Sequence, residues 1–280
     1  MSETILSLHE VSYRHPGSGR GLDRLTIGFE PGKRAALLGL NGAGKTTLLL
    51  HLNGILRPDS GEVHYWKIPM DYRRVGLREL RSCVGLVFQN PDVQIFSASV
   101  REDVSFGPMN LGLDQATVRQ RVEESIRAVG LEDCVDRPVH ALSHGQKKRL
   151  CIAGVLAMKP EVLLLDEPMA GLDVSMQAEF TTLLAKLHAG CMTIIVSTHD
   201  LSFAYQWADT RHVLAEGRCV ASWDATALVG SLDELVRLGL GTPGVAVMHR
   251  RLVEAGVLPI GETPPRSQEA LSARLGLLKK

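Results

Sequence analysis

The chain has 280 residues, 45% of them hydrophobic, and its 31 basic and 31 acidic residues cancel to a formal net charge of zero. The length allows one large domain with a smaller appendage. The balanced charge gives no indication of a nucleic-acid partner. No apolar run approaches the roughly 20 residues needed to cross a bilayer, so any membrane role is expected to depend on a partner protein.

Cysteine usage and the N-terminal residues bear on the compartment. Five cysteines are scattered without a C-x-x-C pair, which is typical of reduced thiols in a cytosolic protein. The first ten residues, MSETILSLHE, lack the basic and then apolar pattern of a secretion signal. Both features predict a cytosolic location.

In chain order, short apolar runs alternate with helical patterns. Near the start, antiparallel strands are predicted at residues 5–13, 25–29 and 61–66. Buried strands are predicted at 35–38, 84–88, 162–165 and 193–197. A turn follows each buried strand, and most then lead into a helical pattern. This alternation predicts an α/β fold with a mainly parallel sheet.

One helix is predicted at residues 115–129, where apolar side chains share a face, Asp114 can cap the start and Gly130 can end the last turn. Beyond about residue 224 the pattern weakens and is broken by glycines and prolines. We divide the chain into residues 1–222 and 223–280. The second part is predicted to be a small helical appendage, with a flexible tail as the alternative.

The stretch GLNGAGKT, residues 39–46, follows the predicted strand AALL and fits the pattern G-x-x-x-x-G-K-[ST] of a phosphate-binding loop. Backbone amides of such a loop wrap a phosphate chain at a helix N-terminus. Lys45 is predicted to neutralise the β- and γ-phosphates of ATP, and Thr46 to bind Mg²⁺. The full predicted set of phosphate-binding residues is Gly39, Asn41, Gly42, Ala43, Gly44, Lys45, Thr46 and Thr47.

Polar residues follow three other apolar strands. VLLLDEP ends in Asp166, which is predicted to hold Mg²⁺ directly or through water, and Glu167, which is placed to deprotonate the attacking water. Gln89 closes LVFQ and could contact Mg²⁺ or water, and His199 follows IIVST and could contact the γ-phosphate. Taken singly, Gln89 and His199 are equally well explained as surface polar residues.

The stretch LSHGQKKR, residues 142–149, predicts a helix start with a capping box between Ser143 and Gln146. Its composition is unusual in two ways. Three basic residues crowd a helix end that already carries partial positive charge, and Gly145 stands where another residue would favour the helix by roughly 1 kcal/mol. Either this is an ordinary capped surface helix, or an anion must approach closely.

Five motifs in this order, GLNGAGKT, LSHGQKKR, LLLDEP, GLD and STHD, resemble the nucleotide-binding subunit of ABC transporters from about Ile5 to Ser222. The resemblance implies a P-loop NTPase fold with an antiparallel β subdomain and a helical signature subdomain. It also implies that two subunits face head to tail. The residues that would contact ATP held by the other subunit are Ser143, Gly145, Gln146 and Asp173.

Two departures from the family pattern concern single residues. His144 replaces the usual glycine of LSGGQ, and it is expected to be tolerated because the first helical residue has ordinary backbone angles. An aromatic residue normally stacks on adenine near the end of the first strand. Here that position is His15, with Tyr13 two residues before it on the same strand face. We favour His15 as the adenine contact and Tyr13 as a core residue.

Three stretches together resemble the cobalt-type ATPase of energy-coupling factor importers, namely LSHGQKKR, residues 70–81 and VFQNPDVQIF. The resemblance implies a homodimer at the cytoplasmic face of the membrane, with a transmembrane scaffold, a substrate-binding membrane protein and a C-terminal extension that pairs the ATPases. The resemblance implies cobalt ions as the solute, with nickel or a vitamin as the alternative. A soluble ABC ATPase is less favoured because the sequence has no coiled-coil heptads. A nucleotide-dependent switch that does not hydrolyse ATP is less favoured because Glu167 and His199 are present.

Overall fold

The computed structural model describes residues 3–17, 19, 21–224, 232–259 and 264–277, and in them it shows two β-sheets with helices packed around the larger one. The strands are β1 Leu6–Arg14, β2 Gly21–Phe29, β3 Arg34–Leu38, β4 Ser60–Tyr65, β5 Ile68–Pro69, β6 Val84–Val87, β7 Val162–Asp166, β8 Thr193–Thr198, β9 Thr210–Ala215 and β10 Arg218–Asp224. The helices are α1 Lys45–Leu52, α2 Arg74–Cys83, α3 Val100–Asn110, α4 Gln115–Val129, α5 His144–Leu156, α6 Val174–Ala189, α7 Leu201–Trp207, α8 Leu232–Arg237, α9 Gly244–Glu254 and α10 Gln268–Leu277.

The larger sheet has the strand order β10-β9-β3-β8-β7-β6. Its pairs β9–β3, β3–β8, β8–β7 and β7–β6 are parallel, and β10 is added antiparallel at one edge. The smaller sheet has the order β2-β1-β4-β5 with antiparallel pairing. The α/β class with a mainly parallel core and antiparallel additions is therefore confirmed.

Both faces of the parallel sheet are buried, which explains why its strands are apolar without alternation. Ala36 and Leu38 of β3 face a core formed with α3 to α7, whereas Ala35 and Leu37 face a core formed with α1 and the antiparallel sheet. Each buried Leu or Val contributes roughly 1.5–3 kcal/mol to folding. The sheet is thereby a rigid platform, and its strand ends hold the polar residues of the site.

Helix α4 covers the predicted residues 115–129. Asp114 accepts hydrogen bonds from the amides of Ala116 and Thr117, and Gly130 ends the helix in the left-handed conformation with φ 69°. The antiparallel hairpin of β9 and β10 is a feature that the sequence analysis missed. It turns at Glu216 and Gly217, both with positive φ, and such a turn between β-prone runs is a recognisable hairpin signal.

The C-terminal segment packs against the rest of the chain. Strand β10 ends at Asp224, two residues beyond the boundary predicted from sequence. Leu235 of α8 and Ala246 of α9 are buried in the same core as α6 and α7, with Leu238 and Leu240 packed beside them. Nη1 of Arg266 lies 3.8 Å from Oδ1 of Asp209. Leu235 is therefore covered, and Leu238 partly covered, within the same chain, while Val236 remains 58% exposed.

Candidate active site

The phosphate-binding loop connects β3 to α1 and depends on its glycines. Gly39, Gly42 and Gly44 have φ values of 152°, 81° and 106°, which side chains disfavour. A Cβ at Gly39 would lie 2.4 Å from the carbonyl oxygen of Leu214, so the loop cannot accept a larger residue there. The buried Lys45 donates a hydrogen bond from Nζ to the Gly39 carbonyl at 2.7 Å.

Asp166 lies at the end of β7 and is held from two sides. Its Oδ2 accepts a hydrogen bond from Thr46 Oγ1 at 2.8 Å, and its Oδ1 accepts one from Ser197 Oγ at 2.5 Å. Ser197 is opposite Asp166 in the parallel pairing of β7 with β8. Thr46 and Asp166, the two residues predicted to bind Mg²⁺, are therefore in direct contact.

Glu167 follows with the left-handed φ of 43°, which turns its side chain away from the direction of Asp166. Its amide donates to Ser197 Oγ at 2.9 Å. One carboxylate oxygen, Oε1, lies 3.4 Å from Lys45 Nζ, and the other, Oε2, lies 2.9 Å from His199 Nδ1. The carboxylate is thus fixed between a lysine of the loop and a histidine that follows β8.

A cavity of about 440 Å³ joins most of the predicted residues. Its lining consists of His15, Gly21, Asn41–Thr47, Gln89, Glu167 and His199. Gly39 and Asp166 do not line it, because Gly39 is at the base of the loop and Asp166 is buried behind Thr46. A larger cavity of about 950 Å³ shares Asn41–Ala43 but contains neither Lys45 nor Glu167, so we assign the smaller one as the site.

His15 and Tyr13 have different environments. Nε2 of His15 lies 2.9 Å from Thr47 Oγ1 at the wall of the smaller cavity. Tyr13 is half-buried, and its ring meets those of His15 and His51 edge-on, with interplanar angles of 90° and 73° and a centroid distance of 5.0 Å in both pairs. Tyr13 packs against the core of the antiparallel sheet and also lines the larger cavity, whereas His15 lines the smaller one.

The signature helix α5 begins as predicted. Ser143 Oγ accepts a hydrogen bond from the Gln146 amide at 3.2 Å, and Gln146 Oε1 accepts one from the Ser143 amide at 2.9 Å. His144 is the first helical residue and is exposed. Ser143, Gly145 and Gln146 do not line the cavity formed by the phosphate-binding loop of their own chain.

The three basic residues of this helix are engaged within the chain, and these contacts account for them without an approaching anion. Lys147 pairs with Asp92 at 2.7 Å. Lys148 donates to the carbonyls of Pro168 and Ala170 at 2.7 and 2.6 Å. Arg149 donates to the Val129 carbonyl and pairs with Glu179. Each side chain ties the helix to a different neighbouring segment.

Gly145 also has an intrachain reason that the sequence did not reveal. A Cβ there would lie 3.3 Å from Met176 Sδ and 3.8 Å from Leu172 Cδ2, both of which belong to the start of α6 or the loop before it. A side chain at position 145 would therefore require Met176 to shift by a few tenths of an ångström, in addition to any effect on an approaching phosphate. Asp173 caps α6 by accepting a hydrogen bond from the Met176 amide at 2.9 Å.

Two residues at the site were missed by sequence reasoning. Ser197 bonds to both Asp166 and Glu167, and its signals in the sequence are its place in STHD and the change from the apolar run IIV to Ser197 and Thr198 at the end of β8. Lys148 is only 3% exposed, and burial lowers its pKa to about 8 while Cys151 and Glu167 act in the opposite direction. Its partners are carbonyl groups of a loop, which no sequence spacing predicts.

Comparison with known proteins decides the family. A family model described as ABC transporter matches residues 22–170. The chain belongs to the ABC transporter family. As an ABC ATPase it binds and hydrolyses ATP, and the resemblance drawn from the five motifs is confirmed. Among the helices of the described residues, none combines the length and apolar character that a membrane crossing requires.

Similar proteins cover nearly the whole of this ABC ATPase. The cobalt import ATP-binding protein CbiO of Rhodobacter capsulatus is 45% identical over 273 residues, which are 97% of each chain. The energy-coupling factor transporter ATP-binding protein EcfA of Methanocaldococcus jannaschii is 43% identical, covering 91% of this chain and 92% of that protein. The structure of cbiO1 from Clostridium perfringens, part of the ABC transporter complex cbiONQ, has a TM-score of 0.76 and 38% identity, covering 89% of this chain and all of that one.

Proposed function

We propose that this chain is the energy-coupling ATPase of an importer of the energy-coupling factor type, bound at the cytoplasmic face of the membrane, with cobalt ion as the solute. The observation that carries the proposal is the convergence of Lys45, Glu167 and His199 on one cavity in a chain that resembles CbiO over 97% of its length. The conversion of ATP energy into movement requires such a site, and the solute is inferred from the relative.

ATP would bind with its phosphates over the amides of the loop and the N-terminus of α1. Helix N-termini and glycine-rich loops stabilise phosphate because their amides and dipoles point at it. Lys45 Nζ would turn from the Gly39 carbonyl to the β- and γ-phosphates. His15 would lie against the adenine, since it borders the same cavity on the side of β1.

Mg²⁺ fits the donors that the structure provides. Thr46 Oγ1 and Asp166 are oxygen ligands in contact with each other, and Gln89 adds an amide oxygen at the cavity wall. Mg²⁺ prefers oxygen ligands and is usually held by one or two carboxylates together with substrate phosphates and water. When bound there, the ion would neutralise charge that develops on the phosphoryl oxygens during hydrolysis.

Glu167 would act as the general base. Its carboxylate faces the cavity, and a base must lie within hydrogen-bonding reach of the water that it deprotonates. His199 would orient this carboxylate through Nδ1 and contact the γ-phosphate with the rest of its ring. The left-handed backbone of Glu167 separates the two carboxylates, so that Asp166 serves the metal and Glu167 serves the water.

Two copies would be needed for turnover. Ser143, Gly145 and Gln146 lie outside the cavity of their own chain, so a second copy arranged head to tail would bring them to the phosphates. ATP would then hold the two copies together, and hydrolysis would release them. Asp173, at the start of α6, would lie at the same interface.

The segment 89–106 offers a surface for the membrane scaffold. Phe96 and Phe106 are 62% and 49% exposed, and their rings contact each other with a centroid distance of 4.4 Å. Both line a groove of about 220 Å³ between α3 and the edge strand β6. Val100 is fully buried and belongs to the core. The exposed pair would receive an apolar element of the scaffold.

The proposal is tested by purifying the tagged chain from membranes of its own cells with its bound partners and reconstituting the complex in vesicles. ATP supplied on the side of the vesicle membrane that carries the ATPase should drive accumulation of Co²⁺ on that same side. A complex that carries Glu167→Gln should not accumulate Co²⁺. The same accumulation assay with Ni²⁺ and with vitamins tests the alternative solutes. Accumulation of one of these without Co²⁺ would replace cobalt as the solute. Purification of the chain without any membrane protein would contradict the importer itself.

A further inference from the structure

Lys148 joins the signature helix to the loop that follows Glu167. It lies on α5, one turn after the capping residues, and is 3% exposed. Its ammonium group donates to the carbonyls of Pro168 at 2.7 Å and Ala170 at 2.6 Å. A buried ammonium is costly unless it is hydrogen-bonded, so these two bonds fix the distance between the helix and the loop.

The loop itself needs such a restraint. Glu167 has a φ of 43°, a conformation that is uncommon for a residue with a side chain and persists only when its surroundings impose it. Ser197 fixes the amide of Glu167 on one side. On the other side the Ala170 amide donates to the Glu167 carbonyl at 3.1 Å, and Lys148 holds the carbonyls within this turn.

We propose that Lys148 is a positioning residue for ATP hydrolysis, which couples the signature helix to the carboxylate of Glu167 in the same chain. The proposal rests on the role of Glu167 as the base. The N-terminus of α5 would contact ATP in the second subunit, whereas Glu167 faces ATP in its own subunit. A shift of α5 on closure would therefore reach Glu167 through the two bonds of Lys148, and would make hydrolysis at one site depend on occupancy of the other.

The neighbouring residues of the helix make different contacts and supply a control. Arg149 instead bonds to the Val129 carbonyl and to Glu179 of α6, neither of which belongs to residues 167–170. A purely structural role of the basic residues would give Lys148 and Arg149 similar effects. A positioning role would give Lys148 alone an effect on the rate of hydrolysis.

The test compares Lys148→Met with Arg149→Met. Steady-state kcat, KM for ATP and equilibrium ATP binding are measured for each, with rates expressed per mole of bound ATP. We expect Lys148→Met to lower kcat by roughly tenfold or more while the ATP dissociation constant changes by less than about twofold. Arg149→Met should keep kcat near the wild-type value. If Lys148→Met fails to fold, Lys148→Gln, whose shorter amide cannot span both carbonyls, takes its place.

A double variant separates positioning from general damage. In single-turnover assays Lys148→Met combined with Glu167→Gln should hydrolyse ATP at the rate of Glu167→Gln alone, because residues that act as a unit are not additive. The same proportional loss in both backgrounds, or an unchanged kcat in Lys148→Met, would overturn the proposal. Near-normal turnover in Glu167→Gln alone would instead overturn the role of Glu167 and the proposal with it.

Discussion

Nδ1 of His199 lies 2.9 Å from Oε2 of Glu167, while the other oxygen of the same carboxylate lies 3.4 Å from Nζ of Lys45. His199 is 68% exposed and Glu167 only 12%, so the histidine covers the carboxylate from the open side of the cavity. Three segments that are distant in sequence thus meet at one group.

Ser197→Ala should impair hydrolysis more than ATP binding. The hydroxyl donates to Asp166 in a buried contact and accepts from the amide of Glu167 in a partly buried one. Leaving such groups unsatisfied costs roughly 1–3 kcal/mol, so both stability and kcat should fall. Thermal unfolding and steady-state hydrolysis measure this, with the exposed Ser202→Ala on α7 as the control. Equal effects of the two substitutions would remove Ser197 from the site.

His144→Gly should be mild and Gly145→Val severe for turnover. Position 144 is the first helical residue with an exposed side chain, whereas a Cβ at 145 meets Met176 within its own chain and would obstruct a phosphate from the second copy. ATP binding to the loop of the same chain should survive in both variants. Hydrolysis rates that rank in the opposite order would refute the placement of the phosphate.

Met176→Ala distinguishes the two reasons for glycine at position 145. Combined with Gly145→Val, it removes the sulfur that lies 3.3 Å from the added Cβ and should recover thermal stability. Turnover should stay low because the added side chain still faces the second copy. Full recovery of hydrolysis would show that the close contact within the chain is the whole reason for the glycine.

The C-terminal segment should pair two copies in the absence of nucleotide. Val236 on α8 and Met248 on α9 are 58% and 52% exposed, and neighbouring apolar residues of both helices are buried in the chain. Val236→Glu with Met248→Glu should weaken nucleotide-free dimerisation measured by sedimentation, whereas Val75→Glu on the exposed face of α2 should not. Truncation is a poorer test because a cut after Ser222 would remove part of β10 and unpack Leu235. Unchanged dimerisation of the double variant would contradict the pairing role.

Stability should fall in acid partly through His212. This residue lies on β9 against Phe29, and burial lowers its pKa from 6.5 to about 4. His212 therefore becomes protonated near pH 6.5 in the unfolded chain, but only near pH 4 in the folded chain. Its contribution is fully present above pH 6.5 and is lost as the pH falls towards 4, by roughly 3 kcal/mol at most.

Denaturant unfolding at pH 7, 5.5 and 4 measures this loss. His212→Phe should flatten the dependence of the unfolding free energy on pH, whatever its effect at neutral pH. Replacement of the exposed His140 by Gln should leave the dependence as it is in the wild type. An unchanged slope for His212→Phe would show that this histidine is not the group responsible.

Sequence patterns sufficed for the class of fold and for the residues of the cavity, because strand ends of a parallel sheet meet at one edge and glycine spacing reflects backbone geometry. They did not suffice where a role depends on a carbonyl group or on three-dimensional proximity alone. Lys148 and Met176 are examples, since the first binds loop carbonyls and the second is 31 positions from Gly145 in sequence. The burial of Leu235 could not be predicted either, because an apolar residue in a helical pattern does not reveal which surface covers it.

The most direct test of the account is single-turnover and steady-state hydrolysis of ATP by wild type and Glu167→Gln, with sedimentation in ATP. The amide preserves the shape of the side chain but cannot accept the proton, so loss of roughly 10²-fold or more is expected for a general base. ATP binding should persist, and the variant should accumulate as an ATP-bound dimer. Near-normal hydrolysis by Glu167→Gln, or a variant that stays monomeric with ATP bound, would contradict the mechanism proposed here.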